Sequence, residues 1–203
     1  AVIPMPLVSD FDRKNVHLSM TTMAATTHRK FGLFSKLAKT TYGMAMDCGA
    51  DFIMGFPNQN STPGFRKRLN WNLPQTDFVA TISKDQLVGF VRNNKVKQQD
   101  ILKLDLQNEV VRNWRLNRPG VAYHWEGGSA WKIHSGQIDL IWYDDNSVLE
   151  LLPNNLPINL LMHSSERQYL KHKSFDYQFG GLGMNSVFNP SEIARDMALS
   201  DLF

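Results

Sequence analysis

The strongest constraint in this chain is a change of hydrophobic period at Gly32. Before it, Asn15–Thr27 (NVHLSMTTMAATT) alternates like a β-strand. After it, Phe34, Leu37, Ala38, Thr41 and Ala45 recur at helical spacing, with Lys36 and Lys39 off that face. Gly49 follows Cys48 at the helix end, where a left-handed residue is needed to stop it. Asp51–Phe56 (DFIMGF) is then a short, mostly apolar strand of the kind buried on both faces. A strand, a helix and a second strand in this order form a crossover, which belongs in a sheet with helices laid on it. The expected class is α/β (α+β): a mixed central sheet flanked by helices, with a β-rich C-terminal half.

The flanking sequence fits this frame. Ala1–Val8 (AVIPMPLV) reads as a strand end interrupted by two prolines, and Ser9–Lys14 as a polar turn. Pro57–Pro63 is a loop, with Ser61 or Thr62 as N-cap of a short helix over Gly64–Leu69 that has Pro63 at its first position. Asp77–Ser83 is the next strand. Asp85–Arg118 is charged and helical towards its end, where Val110, Val111, Trp114 and Arg115 cluster. Val121–Trp125, Ser129–His134 and Gln137–Tyr143 alternate around Gly127-Gly128 and Ser135-Gly136, which are hairpin signals. Leu149–Met162 is apolar. Gly180-Gly181-Leu182-Gly183, among aromatic strands, marks a bend or bulge rather than a phosphate loop. The expected division is 1–84 and 85–203.

Composition narrows the functions. With 42% hydrophobic and 20% charged residues, five Trp and twelve Phe, the 203 residues can bury a full core. A formal charge of +3 favours anionic ligands. Yet no basic block exceeds Arg66-Lys67-Arg68 and none is interleaved with aromatics, so no nucleic-acid partner is expected. The single cysteine, Cys48, excludes an internal disulfide and reads as a buried structural thiol. His163 and His172 lack ligand spacing with any cysteine or carboxylate cluster, so no metal is expected. Without a signal peptide or a membrane-length apolar run, no membrane insertion is expected and a cytoplasmic location is. The chain opens on Ala1 rather than Met, and an upstream segment is expected.

The chemistry concentrates at Arg29-Lys30-Phe31-Gly32-Leu33-Phe34. The first turn of a helix has N–H groups without intrahelical partners and the positive end of the helix dipole. A glycine there lets a pyrophosphate come close to the backbone, and two basic residues add charge. Asn58 and Asn60, after the second strand, are either contacts to such a ligand or ordinary loop-turn residues.

The run from about Val16 to Trp71 resembles the core of the GNAT superfamily, the N-acyltransferases that use acetyl-coenzyme A. Family members place an Arg/Gln-x-x-Gly-x-Gly/Ala turn between a strand and a helix. Arg29–Phe34 sits in that place, with Phe34 departing from the usual small residue. The wording Gly55-Phe56-Pro57-Asn58-Gln59-Asn60-Ser61, with Leu69-Asn70-Trp71, is similar to bacterial members found with surface-polysaccharide genes. So are the Trp114-Arg115 to Pro119 to Tyr123 pattern and the ending Ser200-Asp201-Leu202-Phe203.

The resemblance implies acetyl-CoA, or another acyl-CoA, as co-substrate and a small-molecule amine as acceptor, an amino sugar or sugar nucleotide in particular. The strand Leu18–Thr26 would part from Asp51–Phe56, and its open edge would pair with the pantetheine arm. A backbone N–H near Met23, Ala24 or Ala25 would polarise the thioester carbonyl. Amides around Arg29, Lys30, Phe31, Gly32, Leu33 and Phe34 would hold the pyrophosphate, and Asn58 the cofactor arm. The tyrosine that many members use as general acid would stand at the position of Arg66, so it is absent. By chemistry alone the catalytic candidates are His28, Asn58 and Tyr123, with His17, His124 and Glu126 also ionisable or polar; His17 reads as a satisfied structural imidazole. Arg66-Lys67-Arg68 is either a solvated helix face or a partner for the 3′-phosphate of coenzyme A. Residues 85–203 would be a second GNAT-like half or an extension covering the acceptor. The alternative is a non-catalytic GNAT-like module that binds acyl-CoA or a protein.

If the turn holds the cofactor, Gly32→Glu abolishes coenzyme A binding while leaving the circular dichroism spectrum unchanged. Calorimetric titration of the variant checks this, and undiminished binding would remove the turn from the site.

Overall fold

A computed structural model describes residues 1–20, 25–74, 76–94, 101–143, 147–169 and 174–200. The chain begins with β1 (Val2–Pro4), β2 (Leu7–Val8), β3 (Arg13–Lys14) and β4 (Val16–Ser19). A 3-10 turn, Thr26–Phe31, leads into α1 (Leu33–Asp47), followed by β5 (Phe52–Gly55), α2 (Thr62–Arg68), β6 (Asp77–Ile82) and α3 (Lys84–Asn94). Then come β7 (Lys103–Leu104), α4 (Glu109–Leu116), β8 (His124–Glu126), β9 (Ser129–His134), β10 (Gln137–Tyr143), α5 (Val148–Leu151), β11 (Ile158–Met162), β12 (Ser174–Tyr177) and β13 (Gly180–Gly183).

The crossover expected around Gly32 is present. β4 and β5 pair in parallel, with Val16 opposite Phe52, His17 opposite Ile53 and Leu18 opposite Met54. β1 flanks β4 and β13 flanks β5, both antiparallel. A second sheet runs β12-β6-β11-β10-β9-β8, and a small third sheet joins β3, β2 and β7. The second sheet repeats the first in topology. Its β10 and β11 are parallel, β9 lies antiparallel beside β10, and β6 antiparallel beside β11.

The two sheets exchange strands. β6 follows β5 and α2 but joins the second sheet, and β13 follows the strands of the second sheet but joins the first. Alternation along the strands assigns each face. Val16, Leu18, Phe52 and Met54 of the first sheet share the main core with Val79, Ile141, Trp142 and Leu161 of the second. The opposite face of the first sheet packs Ile53 on Ala38, Tyr42 and Ala45 of α1 and on Phe65 of α2. That of the second sheet packs Phe78, Ala80, Leu140 and Leu160 on Leu87 and Val91 of α3. The layers run helix, sheet, sheet, helix.

Several expectations need correction. Leu37 is exposed and Tyr42 takes its place on the buried face of α1, because the helix settles on Ala38, Tyr42 and Ala45. Cys48 is exposed; it ends α1, and Gly49 beyond it has φ of +81°. The stretch expected to be helical only at its end opens with α3, whose Leu87 and Val91 fill the second core. Tyr123 precedes β8 instead of lying in a strand. Gly180–Gly183 is a regular strand, not a bend or bulge: it pairs with β5 throughout and bridges Asn72 at Gly181 on its other edge. Its glycines are explained by crowding. A Cβ at Gly181 would fall on the Ile53 carbonyl oxygen and within 2.8 Å of the Phe188 ring.

Gly181→Ala is therefore expected to destabilise the fold by roughly 1–3 kcal/mol through overpacking. Urea unfolding measures it, and a variant as stable as the parent would show that the two segments can part.

Candidate functional site

In open α/β sheets, ligands sit outside the carboxyl ends of parallel strands, where the sheet leaves a crevice. In the first sheet this point is well marked. The β4–β5 ladder stops at Leu18 and Met54. One residue further the strands still touch, since a Cβ on Gly55 would lie 3.0 Å from the Ser19 carbonyl oxygen. Beyond it stand Met20 and Phe56, both half-buried and packed on the main core.

Each face of this point carries its own chemistry. On the α1 side, the Ser19 hydroxyl and the Tyr42 hydroxyl hydrogen-bond at 2.9 Å. Burial pushes the Tyr42 phenol up to about 12, so it stays a neutral donor or acceptor at physiological pH. On the main-core side, Phe56 stacks on Tyr177 with ring centres 4.7 Å apart. Periodicity focused on the Phe34, Leu37, Thr41 stripe missed Tyr42; its spacing of four from Ala38 is the signal that would have found it.

The start of α1 follows from β4. Gly32 has φ of +66°, a left-handed conformation natural to glycine, and it is the N-cap. No side chain caps the helix and its first turn holds no acidic residue. Lys36 N–H donates back to the Gly32 carbonyl, so the amides of Leu33, Phe34 and Ser35 precede the helical ladder. The Ser35 hydroxyl in this turn is buried without a hydrogen-bond partner among the described residues.

The other expected residues are placed as follows. Met23 and Ala24 lie outside the described residues. Ala25 is exposed and precedes the 3-10 turn, so the strand expected to reach Thr26 is recorded only to Ser19, and Thr26 belongs to the turn. The backbone of Arg29 lies in that turn. Lys30 is exposed, its ammonium 5.3 Å from the centre of the exposed Phe31 ring. Phe34 turns its ring onto α2, edge-to-face with Phe65 at 5.2 Å, which leaves only its backbone for a ligand.

His28 is exposed, with Nδ1 2.8 Å from the Thr27 hydroxyl. Asn58 organises its own loop: its carboxamide oxygen accepts from Ser61 N–H and its carbonyl from Thr62 N–H. Asn60 is exposed beside it. Ser61 is the N-cap of α2 by position, but its hydroxyl donates to the Asn58 carbonyl instead of capping. Tyr123 packs on the main core, its hydroxyl buried and unpartnered among the described residues. His124 stacks on Trp131.

At the position expected for a tyrosine acid, Arg66 donates to the Leu73 carbonyl at 3.3 Å. Arg66, Lys67 and Arg68 are all exposed at the end of α2. His17 departs from expectation: it is 9% exposed on the α1 side of β4, and its Nδ1 has no partner among the described residues.

The second sheet differs at the corresponding end, as far as its residues are described. Its parallel strands are joined by α5, only four residues long, and the carboxyl end of the pair is occupied. There Asp77 accepts from Ser164 N–H and from the buried Arg195, which also lies 4.2 Å over the Phe179 ring. A separate open groove of about 520 Å³ is lined by Asn70, Asn72 and residues 181–188, beside the bridge from Asn72 to β13. Among the described residues, no group of His, Cys, Asp and Glu could hold a metal ion, and no helix is long and apolar enough to cross a membrane.

No protein-family model and no curated protein matches this chain. Solved structures do. A GCN5-related N-acetyltransferase from Kribbella flavida aligns over 91% of this chain and 56% of its own, with a TM-score of 0.56 and 8% identity. A conserved protein of unknown function from Enterococcus faecalis V583, described as a probable N-acyltransferase, aligns over 88% of this chain and 57% of its own, with a TM-score of 0.54 and 7% identity. The likeness is one of fold, and the chain spans a little over half the length of each. The mixed α/β architecture expected from the sequence is thus one found in N-acetyltransferase structures.

His17 gives a test of how the sheet beneath α1 is built. Burial lowers its pKa below the ordinary value of 6.5, so the folded state prefers the neutral ring. Its contribution is fully present above pH 6.5 and is lost as pH falls from there through the folded value. Thermal melts of the parent should lose stability below pH 6.5 more steeply than those of His17→Gln. Parallel curves would mean that the ring is not buried.

Proposed function

We propose that this chain transfers a short acyl group from acyl-coenzyme A to an amine of a small molecule. The observation that carries this reading is that β4 and β5 stop pairing in a crossover whose helix starts uncapped and free of acidic residues, in a fold shared with an N-acetyltransferase structure. An anionic pyrophosphate suits free amides at the positive end of a helix dipole. A pantetheine arm suits a backbone whose strand partner has ended. Exposed Lys30 and Lys36 near that helix start favour the same charge.

The reaction needs little covalent help from the protein. The amine nitrogen attacks the thioester carbonyl carbon, a C–N bond forms and the C–S bond breaks. The thiolate leaves and takes up a proton, while the amine loses one. Positioning and oxyanion stabilisation supply most of the acceleration in such a step. With Arg66 in place of a tyrosine acid, the hydroxyl pair of Ser19 and Tyr42 is the neutral proton-bearing group at the strand ends. The acceptor is an amino sugar or sugar nucleotide, a reading that rests on the sequence resemblance of Gly55–Ser61. Residues 1–84 supply the cofactor slot. Residues 85–203, which with β6 build the second sheet and lend β13 to the first, serve as a second GNAT-like half or as the cover of the acceptor.

The second reading is a non-catalytic acyl-CoA-binding module, favoured by the arginine at the expected acid position. One experiment orders the two. Acetyl-CoA is titrated calorimetrically into the chain, with desulfo-CoA and adenosine 3′,5′-bisphosphate as controls, followed by a thiol-release assay across amino sugars. Binding that requires both pantetheine and pyrophosphate is expected, together with thiol release. Binding without release supports the module, and no binding by a folded chain removes both readings.

A further inference from the structure

We infer that Phe56, held in place by Tyr177 at the end of β12, closes the acyl end of the slot and restricts it to short acyl groups. The inference deepens the acyl-CoA reading and rests on it.

The argument starts from alternation. Along β5, Phe52 and Met54 face the main core while Ile53 faces α1. Gly55 lies against Trp71 on the α1 side, so Phe56 returns to the main-core side. Along β4, Val16 and Leu18 face the main core, and Met20 follows them. Met20 and Phe56 are thus the next residues, on one face, after the last paired couple of Leu18 and Met54. A group carried in past the last contact of the two strands, at Ser19 and Gly55, would meet these two side chains on that face.

Phe56 has little freedom to move aside. Its ring stacks on Tyr177 at an interplanar angle of 17° and touches Phe179, ring centres 5.2 Å apart. Tyr177 is itself buried, and its hydroxyl bonds to that of Ser200. The Ser200 carbonyl accepts from Arg115 at 2.8 Å. Phe179 is pinned on its other side by the Arg195 guanidinium and by Phe188. A half-buried aromatic with anchored rings behind it is a rigid wall, since close-packed interiors yield little to an added methylene. The wall is built jointly: Phe56 follows β5 of the first crossover, Tyr177 ends β12 of the second sheet, and Phe179 lies between β12 and β13.

The test measures affinities of coenzyme A, acetyl-CoA and hexanoyl-CoA by calorimetry for the parent, Phe56→Ala, Phe56→Leu and Tyr177→Leu. The parent is expected to bind acetyl-CoA about tenfold or more tighter than hexanoyl-CoA, in line with discrimination by a filled pocket. Phe56→Ala should shift that ratio about tenfold towards hexanoyl-CoA, with Phe56→Leu and Tyr177→Leu in between, while affinity for coenzyme A stays within about threefold. The leucine variants keep most of the packed volume and serve if the alanine variant fails to fold. Unchanged ratios with coenzyme A still bound would overturn this inference alone. Failure of the folded parent to bind coenzyme A would overturn the acyl-CoA reading and this inference with it.

Discussion

The exchange of strands β6 and β13 is the constraint on which the rest depends. A pair of parallel strands with one antiparallel neighbour is a narrow sheet, and its open edge would expose unpaired backbone groups. Here each crossover pair is completed by a strand that the chain supplies from the other half. Glycines let β13 come within bonding distance of β5 while residues 72–73 and 186–188 crowd around it. A buried ion pair fastens the arrangement from the other direction: Arg195, near the end of the chain, donates to Asp77 at the start of β6. An unpaired charge at that depth would be costly, so the two segments are bound to each other's presence.

The same exchange separates the two halves by what they can bind. In the first, the link between the parallel strands includes a 3-10 turn and a 15-residue helix whose start no side chain caps. In the second, the described part of the link holds only the four-residue α5, and the Asp77 carboxylate accepts from Ser164 N–H just past the end of β11. One frame is thus used twice, once open and once filled. The filled copy lends the open one its backing aromatics, Tyr177 and Phe179.

Much of the local structure was legible in the sequence because it depends on neighbours along the chain. The β4, α1, β5 order, the left-handed Gly49, the strand over Asp77–Ile82 and the hairpins of β8 to β10 all follow from period and turn chemistry. What could not be read depends on partners remote in sequence. Leu37 and Tyr42 have comparable claims to a helix face until Ala38 and Ala45 choose the stripe that packs on Ile53. Gly180–Gly183 looks like a bend until residues 53, 72 and 188 are brought against it. The candidate site divides the same way. The glycine at the helix start was readable, whereas the Ser19–Tyr42 pair and the Phe56–Tyr177 stack need the sheets assembled.

The pairing of β5 with β13 also bears on how the molecule comes into being. Ser186, just past β13, bonds to Asp51, just before β5, across 135 positions of chain. During synthesis from the N-terminus, the helix start and both strands of the first crossover leave the ribosome long before the strand that closes their sheet. Until then the edge of β5 is bare, a template for stray pairing, and contacts of such long range form slowly. The strands of the first crossover are thus made well before the strand that closes their sheet. Loss of β13 would therefore bare an edge in the part of the chain folded around the first crossover, more than a hundred positions away.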